Sequence, residues 1–235
     1  MKETIYNYDD LLNMLDQLIK ENSRFNWDNF YSDREKNIPF FVNHPDENLV
    51  EYFENKLFLS GGKVLELGCG PGRNAIFFAE NGCTVDAVDL SEEALQWGRE
   101  RASEKNLLVN FINKNIFDLQ IDQGTYDIVY DSGCFHHIAP HRRMSYINLI
   151  KRALKPNGFF AITCFVVGGK FGGADITDWD VYRLMSLNGG LGFTEDKLRR
   201  IFSDFKEMEI RIMNQNTEKI DVFATEGLLT ALFKV

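Results

Sequence analysis

A glycine-rich run, Val64-Leu65-Glu66-Leu67-Gly68-Cys69-Gly70-Pro71-Gly72, carries the strongest chemical signal in the chain. An apolar strand that ends in glycines and opens a helix lets backbone approach a ligand closely. The first N–H groups of that helix have no intrahelical partner and face the same ligand. Glycines alone serve many nucleotides, so spacing has to discriminate. The dinucleotide fingerprint G-x-G-x-x-G needs a glycine where this chain has Arg73; here the third glycine arrives one residue early, at Gly72. Glu66 precedes the loop, where it would repel a pyrophosphate but suits a ligand with an amino group or a sulfonium. Asp89 closes the next apolar strand about 20 residues on, the usual place for a carboxylate that grips ribose hydroxyls. Taken alone, Asp89 fits NAD as well as any other adenosine-containing cofactor.

A second reactive stretch is Asp131-Ser132-Gly133-Cys134-Phe135-His136-His137-Ile138. It follows an apolar strand, which puts it at the carboxyl edge where open α/β sheets bind ligands. His136 could take a proton from an oxygen, nitrogen or sulfur nucleophile, since the ordinary histidine pKa lies near working pH. The plainer alternative is that His136 and His137 only hydrogen-bond backbone and hold the loop in place. Asp131 could contact substrate or a metal, but a lone carboxylate is weak ground for a metal site and none is expected. The motif [D/N]-P-P-Y does not occur at this position, which argues against modification of DNA bases. Cys69, Cys83, Cys134 and Cys164 show neither C-x-x-C pairs nor zinc-type spacing and read as reduced, mostly buried thiols.

Alternating strands and helices must position these groups. Lys63–Leu67, Thr84–Asp89, Val109–Asn113, Tyr126–Tyr130 and Phe159–Val167 read as strands. Arg73–Glu80 reads as a helix ended by Asn81-Gly82, and Ser91 as the cap of a helix whose Ala94, Gly98 and Ala102 form a small-residue face. Met144, Ile147, Ile150 and Leu154 line another helix, stopped by Lys155-Pro156-Asn157-Gly158. The alternation implies a parallel sheet covered on both faces. Near the end, Met208–Ile212 and Leu228–Val235 read as an antiparallel edge hairpin.

Residues 1–60 read as a helical cap. A first helix carries Leu11, Leu12, Leu15, Leu18 and Ile19 behind candidate caps Asp9 and Asp10, and a second starts at Pro45. Between them Phe25–Tyr31 and Ile38–Phe41 are aromatic without periodicity. Residues 61–167 form the cofactor-binding core, 168–194 a glycine-punctuated insertion placed to be a lid, and 195–235 a final helix with edge strands, all within one domain.

Composition narrows the partners. A chain of 235 residues with 44% hydrophobic and 26% charged residues suits one large α/β domain. The net charge of −9 leaves no basic face for phosphates, with Arg142-Arg143 and Lys151-Arg152 expected on a solvated helix face, so nucleic acid is not the expected substrate. The start of the chain lacks an apolar signal core, and Phe159–Val167, the longest apolar run, is too short to span a bilayer. A soluble, cytoplasmic protein with no membrane partner is expected.

In its run of motifs the chain resembles the class I S-adenosylmethionine-dependent methyltransferases, whose first motif reads E/D-x-G-x-G-x-G. The resemblance continues through Val85–Ser91, Asn115-Ile116, Tyr126–Val129 and Leu154–Gly158, and so covers roughly Gly61 to Phe165. It implies a Rossmann-like seven-stranded sheet, mostly parallel with an antiparallel last strand and helices on both faces. It implies S-adenosylmethionine as cofactor, held by Glu66, Gly68, Cys69, Gly70, Gly72, Asn74, Asp89 and Leu90, with Asn115 and Ile116 at the adenine. Asn115 stands where an aspartate is more usual. Asp131, Gly133 and Cys134 would line the methionine end, and His136 would point toward the methyl group. The Gly-Cys-Phe-His-His phrase and the aromatics Trp27, Phe30 and Tyr31 look like the thiopurine- and tellurite-resistance-type branch, in which Tyr31 would reach the cofactor carboxylate. The implied reaction is methyl transfer to a small-molecule oxygen, nitrogen, sulfur or chalcogen nucleophile, leaving S-adenosylhomocysteine. A protein or RNA methyltransferase and a non-catalytic cofactor-binding module are the alternatives.

Overall fold

Val64 and Leu65 point to opposite faces of a strand and enter two different apolar clusters, as expected of a strand buried on both sides. The computed structural model describes residues 4–23, 25–215 and 221–235. Its strands are β1 (Lys63–Leu67), β2 (Thr84–Asp89), β3 (Asn110–Asn113), β4 (Tyr126–Ser132), β5 (Leu154–Phe165), β6 (Lys206–Ile212) and β7 (Leu228–Lys234). They form a 7-stranded sheet in the order β3-β2-β1-β4-β5-β7-β6. β1 to β5 run parallel, while β7 is antiparallel to both β5 and β6. The strand order reverses between β1 and β4, and the crevice outside that switch point is where such sheets bind ligands.

The helices are α1 (Tyr8–Glu21), α2 (Trp27–Tyr31), α3 (Glu47–Glu54), α4 (Arg73–Glu80), α5 (Glu92–Glu104), α6 (Arg143–Ala153), α7 (Asp178–Leu184) and α8 (Glu195–Ile201). One face of the sheet packs Val64, Val85 and Ile128 against Leu49 and Tyr52 of α3 and Phe78 of α4. The other packs Leu65, Val129 and Phe160 against Tyr146 of α6, Leu198 of α8 and Phe202. Close approach fixes Gly98 of α5 and Gly72 at the start of α4. A Cβ on Gly98 would lie 2.7 Å from the Phe111 ring and one on Gly72 2.8 Å from it, so that ring fits only between two bare backbones. Ser91 caps α5 as expected, accepting from the Ala94 amide at 3.1 Å.

Several boundaries differ from the sequence reading. Asn7 caps α1, accepting from the Asp10 amide at 2.9 Å, so Asp9 and Asp10 belong to the first turn. The aromatic stretch contains α2, a helix too short to show a period, capped by Asn26. Leu154 already pairs with Tyr126, so β5 starts before the Pro156-Asn157-Gly158 bulge rather than after it. The insertion holds α7, announced by a capping box between Thr177 and Asp180. Arg142 and Arg143 are not on a solvated face: Arg142 pairs with Asp16 of α1 and Arg143 with Asp178 of α7. Among the described residues no helix is long and apolar enough to cross a membrane.

Candidate cofactor and active site

Gly68, Gly70 and Gly72 all adopt positive φ, between +52° and +74°, so the chain can turn sharply from β1 into α4. No side chain caps the N-terminus of α4. Asp89 is fixed from two sides: Oδ2 accepts from the Gly70 amide at 2.8 Å and Oδ1 from the Ser91 amide at 2.9 Å. Each oxygen keeps acceptor capacity. Burial raises the Asp89 carboxyl above its usual range, against these backbone donors, which lower it.

Glu66 is 2% exposed, and its Oε2 has no hydrogen-bond partner. Burial holds its carboxyl well above the usual range; Arg73 works against this, and Asp46, Asp131 and Asp89 add to it. The seat between β1 and β4 is therefore rich in carboxylates and short of cations. Such a cluster gains most from a ligand that brings positive charge.

Arg73, which sequence reasoning did not single out, is the cation of this seat. It pairs with Asp46 at 2.6 Å and donates to the His44 carbonyl at 3.1 Å and to Ser132 Oγ at 3.0 Å. Its place directly after the third glycine was the available signal. The Asn74 side chain is engaged by Asp46: Oδ1 accepts from the Asp46 amide at 2.9 Å and Nδ2 donates to Asp46 Oδ2 at 3.2 Å. Tyr130 Oη also donates to Asp46, at 2.8 Å. Together these bonds tie the segment before α3 to the glycine loop.

The cap closes over that loop. A Cβ on Gly70 would lie 3.0 Å from Tyr31 Oη, which places the buried Tyr31 directly on the glycine turn. Tyr31 stacks on Phe41, and Trp27 and Phe30 pack into the same cluster. Asp28 docks α2 onto α5 by accepting from Ser91 Oγ at 2.7 Å.

The turn after β4 is shaped from below. Asp131 Oδ1 accepts from the amides of Cys134 at 2.9 Å and Phe135 at 3.3 Å, and Oδ2 accepts from Tyr146 Oη at 2.6 Å. Burial pushes its carboxyl up to about 7 while these donors pull the other way. Both Asp131 oxygens are thus engaged in building the turn. Cys134 packs against the glycine loop, with its Cβ 2.5 Å from where a Cβ of Gly68 would sit, so only glycine fits there. Gly133 takes φ +100° and donates to the Thr163 carbonyl at 2.9 Å. Asn115 accepts from the Phe117 amide at 3.0 Å, capping the turn that buries Ile116, while Leu90 lies 55% exposed beside Asp89.

His136 is 3% exposed and stacks on Phe165 with ring centroids 3.6 Å apart. His137 is half-buried, edge-on to Trp27 at 4.9 Å, and burial pushes its pKa down to about 4. The insertion returns onto this turn: the Leu191 amide donates to the His136 carbonyl at 2.8 Å, and Leu191 and Phe193 are fully buried. Among the described residues no group of three or more His, Cys, Asp or Glu could hold a metal ion.

The sheet order and the glycine seat at its switch point define the class I S-adenosylmethionine-dependent methyltransferase fold. Comparison with known proteins agrees: residues 64–158 match the family described as a methyltransferase domain. That match covers 95 of the chain's 235 residues, so it is a likeness of this stretch to the family. An uncharacterized methyltransferase of Synechocystis is 34% identical over 109 residues, covering 46% of this chain and 50% of that protein. A ubiquinone biosynthesis O-methyltransferase of Coxiella burnetii is 29% identical over 109 residues, covering 46% of each. The chain spans about half the length of the curated relatives it matches. TehB from Haemophilus influenzae superposes with a TM-score of 0.58 at 20% identity, covering 80% of this chain and 61% of that one. A protein solved in work on the conversion of a disulfide bond into a thioacetal group during echinomycin biosynthesis superposes with a TM-score of 0.68 at 21% identity. That match covers 88% of this chain and 89% of the other.

Proposed function

We propose that the chain uses S-adenosylmethionine to methylate a small-molecule nucleophile. The observation that carries the reading is the unpartnered, buried Glu66 carboxylate at the glycine loop, in a seat with an excess of acids. The residues fit this cofactor, which brings an amino group and a sulfonium to a seat whose cation, Arg73, is already paired with Asp46. When bound it supplies a methyl group on a good leaving group, so the protein's task is alignment and exclusion of water.

Each part of that task has residues to perform it. Asp89, locked by two backbone amides, is preorganised to accept from ribose hydroxyls with its remaining lone pairs. Glu66 would accept from the amino group, and the uncapped N-terminus of α4 would face the carboxylate end. Tyr31, Trp27 and the insertion around Leu191 would enclose the acceptor. A small acceptor is supported by this enclosure, by the net charge of −9 and by the small-molecule reaction in the name of the Coxiella relative. The test is S-adenosylhomocysteine production across a panel of thiols, phenols, amines and chalcogen oxyanions. Turnover of RNA or protein in place of every member of the panel would contradict the small-molecule reading.

A further inference from the structure

We propose that His136 serves methyl transfer as a hydrogen-bond donor through Nε2–H, and that the acceptor binds with its nucleophilic atom already ionised, as a thiolate, phenolate, carboxylate or oxyanion. The inference rests on the methyltransferase reading above and names the acceptor class for that same site.

One backbone bond fixes the ring's tautomer. The Phe165 amide donates to His136 Nδ1 at 3.3 Å. An amide N–H has only a proton to offer, so Nδ1 must present its lone pair, and the single ring proton of the neutral imidazole lies on Nε2. The ring is held neutral, because burial pushes its pKa well below the usual histidine value and His137 pushes the same way. A ring fixed in this tautomer has no free lone pair with which to take a proton. It can only donate.

Glycine backbone lies beside the donor. A Cβ on Gly133 would lie 3.7 Å from His136 Cε1, and one on Gly190 would lie 3.2 Å from Cδ2. Nε2 sits between those two carbons, so bare glycine backbone flanks it on both sides. Gly190 takes φ +126°, a conformation L side chains rarely adopt. Neighbouring Cys134 abuts Gly68, which puts this turn against the glycine loop of the cofactor seat.

The groups around the ring do not supply a base. Phe165 of β5, Gly190 and Leu191 of the insertion and Gly133 of the loop do not titrate. Asp131 has both oxygens engaged by the turn and by Tyr146, and burial raises the thiol of Cys134. His137 is pushed down to about 4, which leaves it a poor proton acceptor at neutral pH. An acceptor that arrives ionised needs none of them. Its lone pair forms the bond to the methyl carbon while the carbon–sulfur bond breaks and that electron pair passes to sulfur. The charges of anion and sulfonium cancel, and no proton moves in the step.

The first test needs no substrate. Nitrogen-15 NMR of the free protein, with the His136→Asn variant to assign the signals, should show Nδ1 unprotonated and Nε2 protonated. A proton on Nδ1 would overturn the proposal whatever the activity. The second test takes two ionisable acceptors of one scaffold, two substituted thiophenols, and measures kcat/KM against pH. The midpoints should differ by the difference in acceptor pKa. Equal midpoints, or efficient turnover of an alcohol that does not ionise in the assay range, would overturn it. His136→Gln, which keeps a side-chain N–H, should hold activity far better than His136→Leu, expected to lose roughly 10- to 150-fold. Calorimetry with S-adenosylhomocysteine separates the two claims. Lack of binding by the wild type sinks the methyltransferase reading and this proposal with it, while binding together with an Nδ1–H tautomer sinks this proposal alone.

Discussion

Replacing Glu66 by leucine should make the empty protein more stable and the cofactor bind more weakly. Glu66 is 2% exposed on a central strand, and Oε2 has no partner. An unsatisfied buried polar group costs about 1–3 kcal/mol, and a leucine of similar length removes that cost. For a chain of this size each kcal/mol moves Tm by about 2–4 °C, so Glu66→Leu should raise the Tm of the empty protein by about 2–12 °C. The same change removes a hydrogen bond to a charged ligand group, worth about 1.5–3 kcal/mol. The Kd for S-adenosylmethionine should therefore rise about 10- to 150-fold. Differential scanning fluorimetry and calorimetry on both proteins read the two quantities. A fall in Tm with an unchanged Kd would refute the reasoning, because Glu66 would then serve the fold and not the ligand.

Two further perturbations probe the scaffold. Gly98→Ala sets a methyl 2.7 Å from the Phe111 ring; overpacking costs about 1–3 kcal/mol and the helix regains about 1, so stability should fall by up to about 2 kcal/mol. Gly62→Ala, whose nearest neighbour is at 3.6 Å, is the control, and an increase in Tm for Gly98→Ala would contradict the packing account. His137 has a folded pKa depressed to about 4, so its contribution to stability is complete above the unfolded value near 6.5 and is lost as pH falls through about 4. Urea unfolding at pH 7 and pH 4.5 should show wild type losing about 2–3 kcal/mol more than His137→Asn. An equal loss would remove His137 as the cause.

The reading of the sequence succeeded where local chemistry dictates structure. β1, the glycine turn and α4 follow from apolar residues that meet three glycines, and Ser91 caps α5 because its side chain competes for the same amide anywhere. What escaped it depended on distant partners. Arg142 and Arg143 look like surface residues until Asp16 and Asp178 are brought to them from other elements. Arg73 and Asp46 stand far apart in sequence, and their buried pair has no local signature. The side chains of Asn74 and Asp131 bind Asp46, the 134–135 amides and Tyr146, partners that the sequence does not name. For α7 the signal was present in Thr177-x-x-Asp180, and the surrounding glycines masked it.

The central claim is that the seat between β1 and β4 binds S-adenosylmethionine, and titration calorimetry tests it most directly. The wild type should bind S-adenosylmethionine and S-adenosylhomocysteine at one site per chain, and Asp89→Ala should weaken both by about tenfold or more through loss of the ribose contact. Titrations without heat for either ligand at concentrations up to the millimolar range, or affinities untouched by Asp89→Ala, would contradict it.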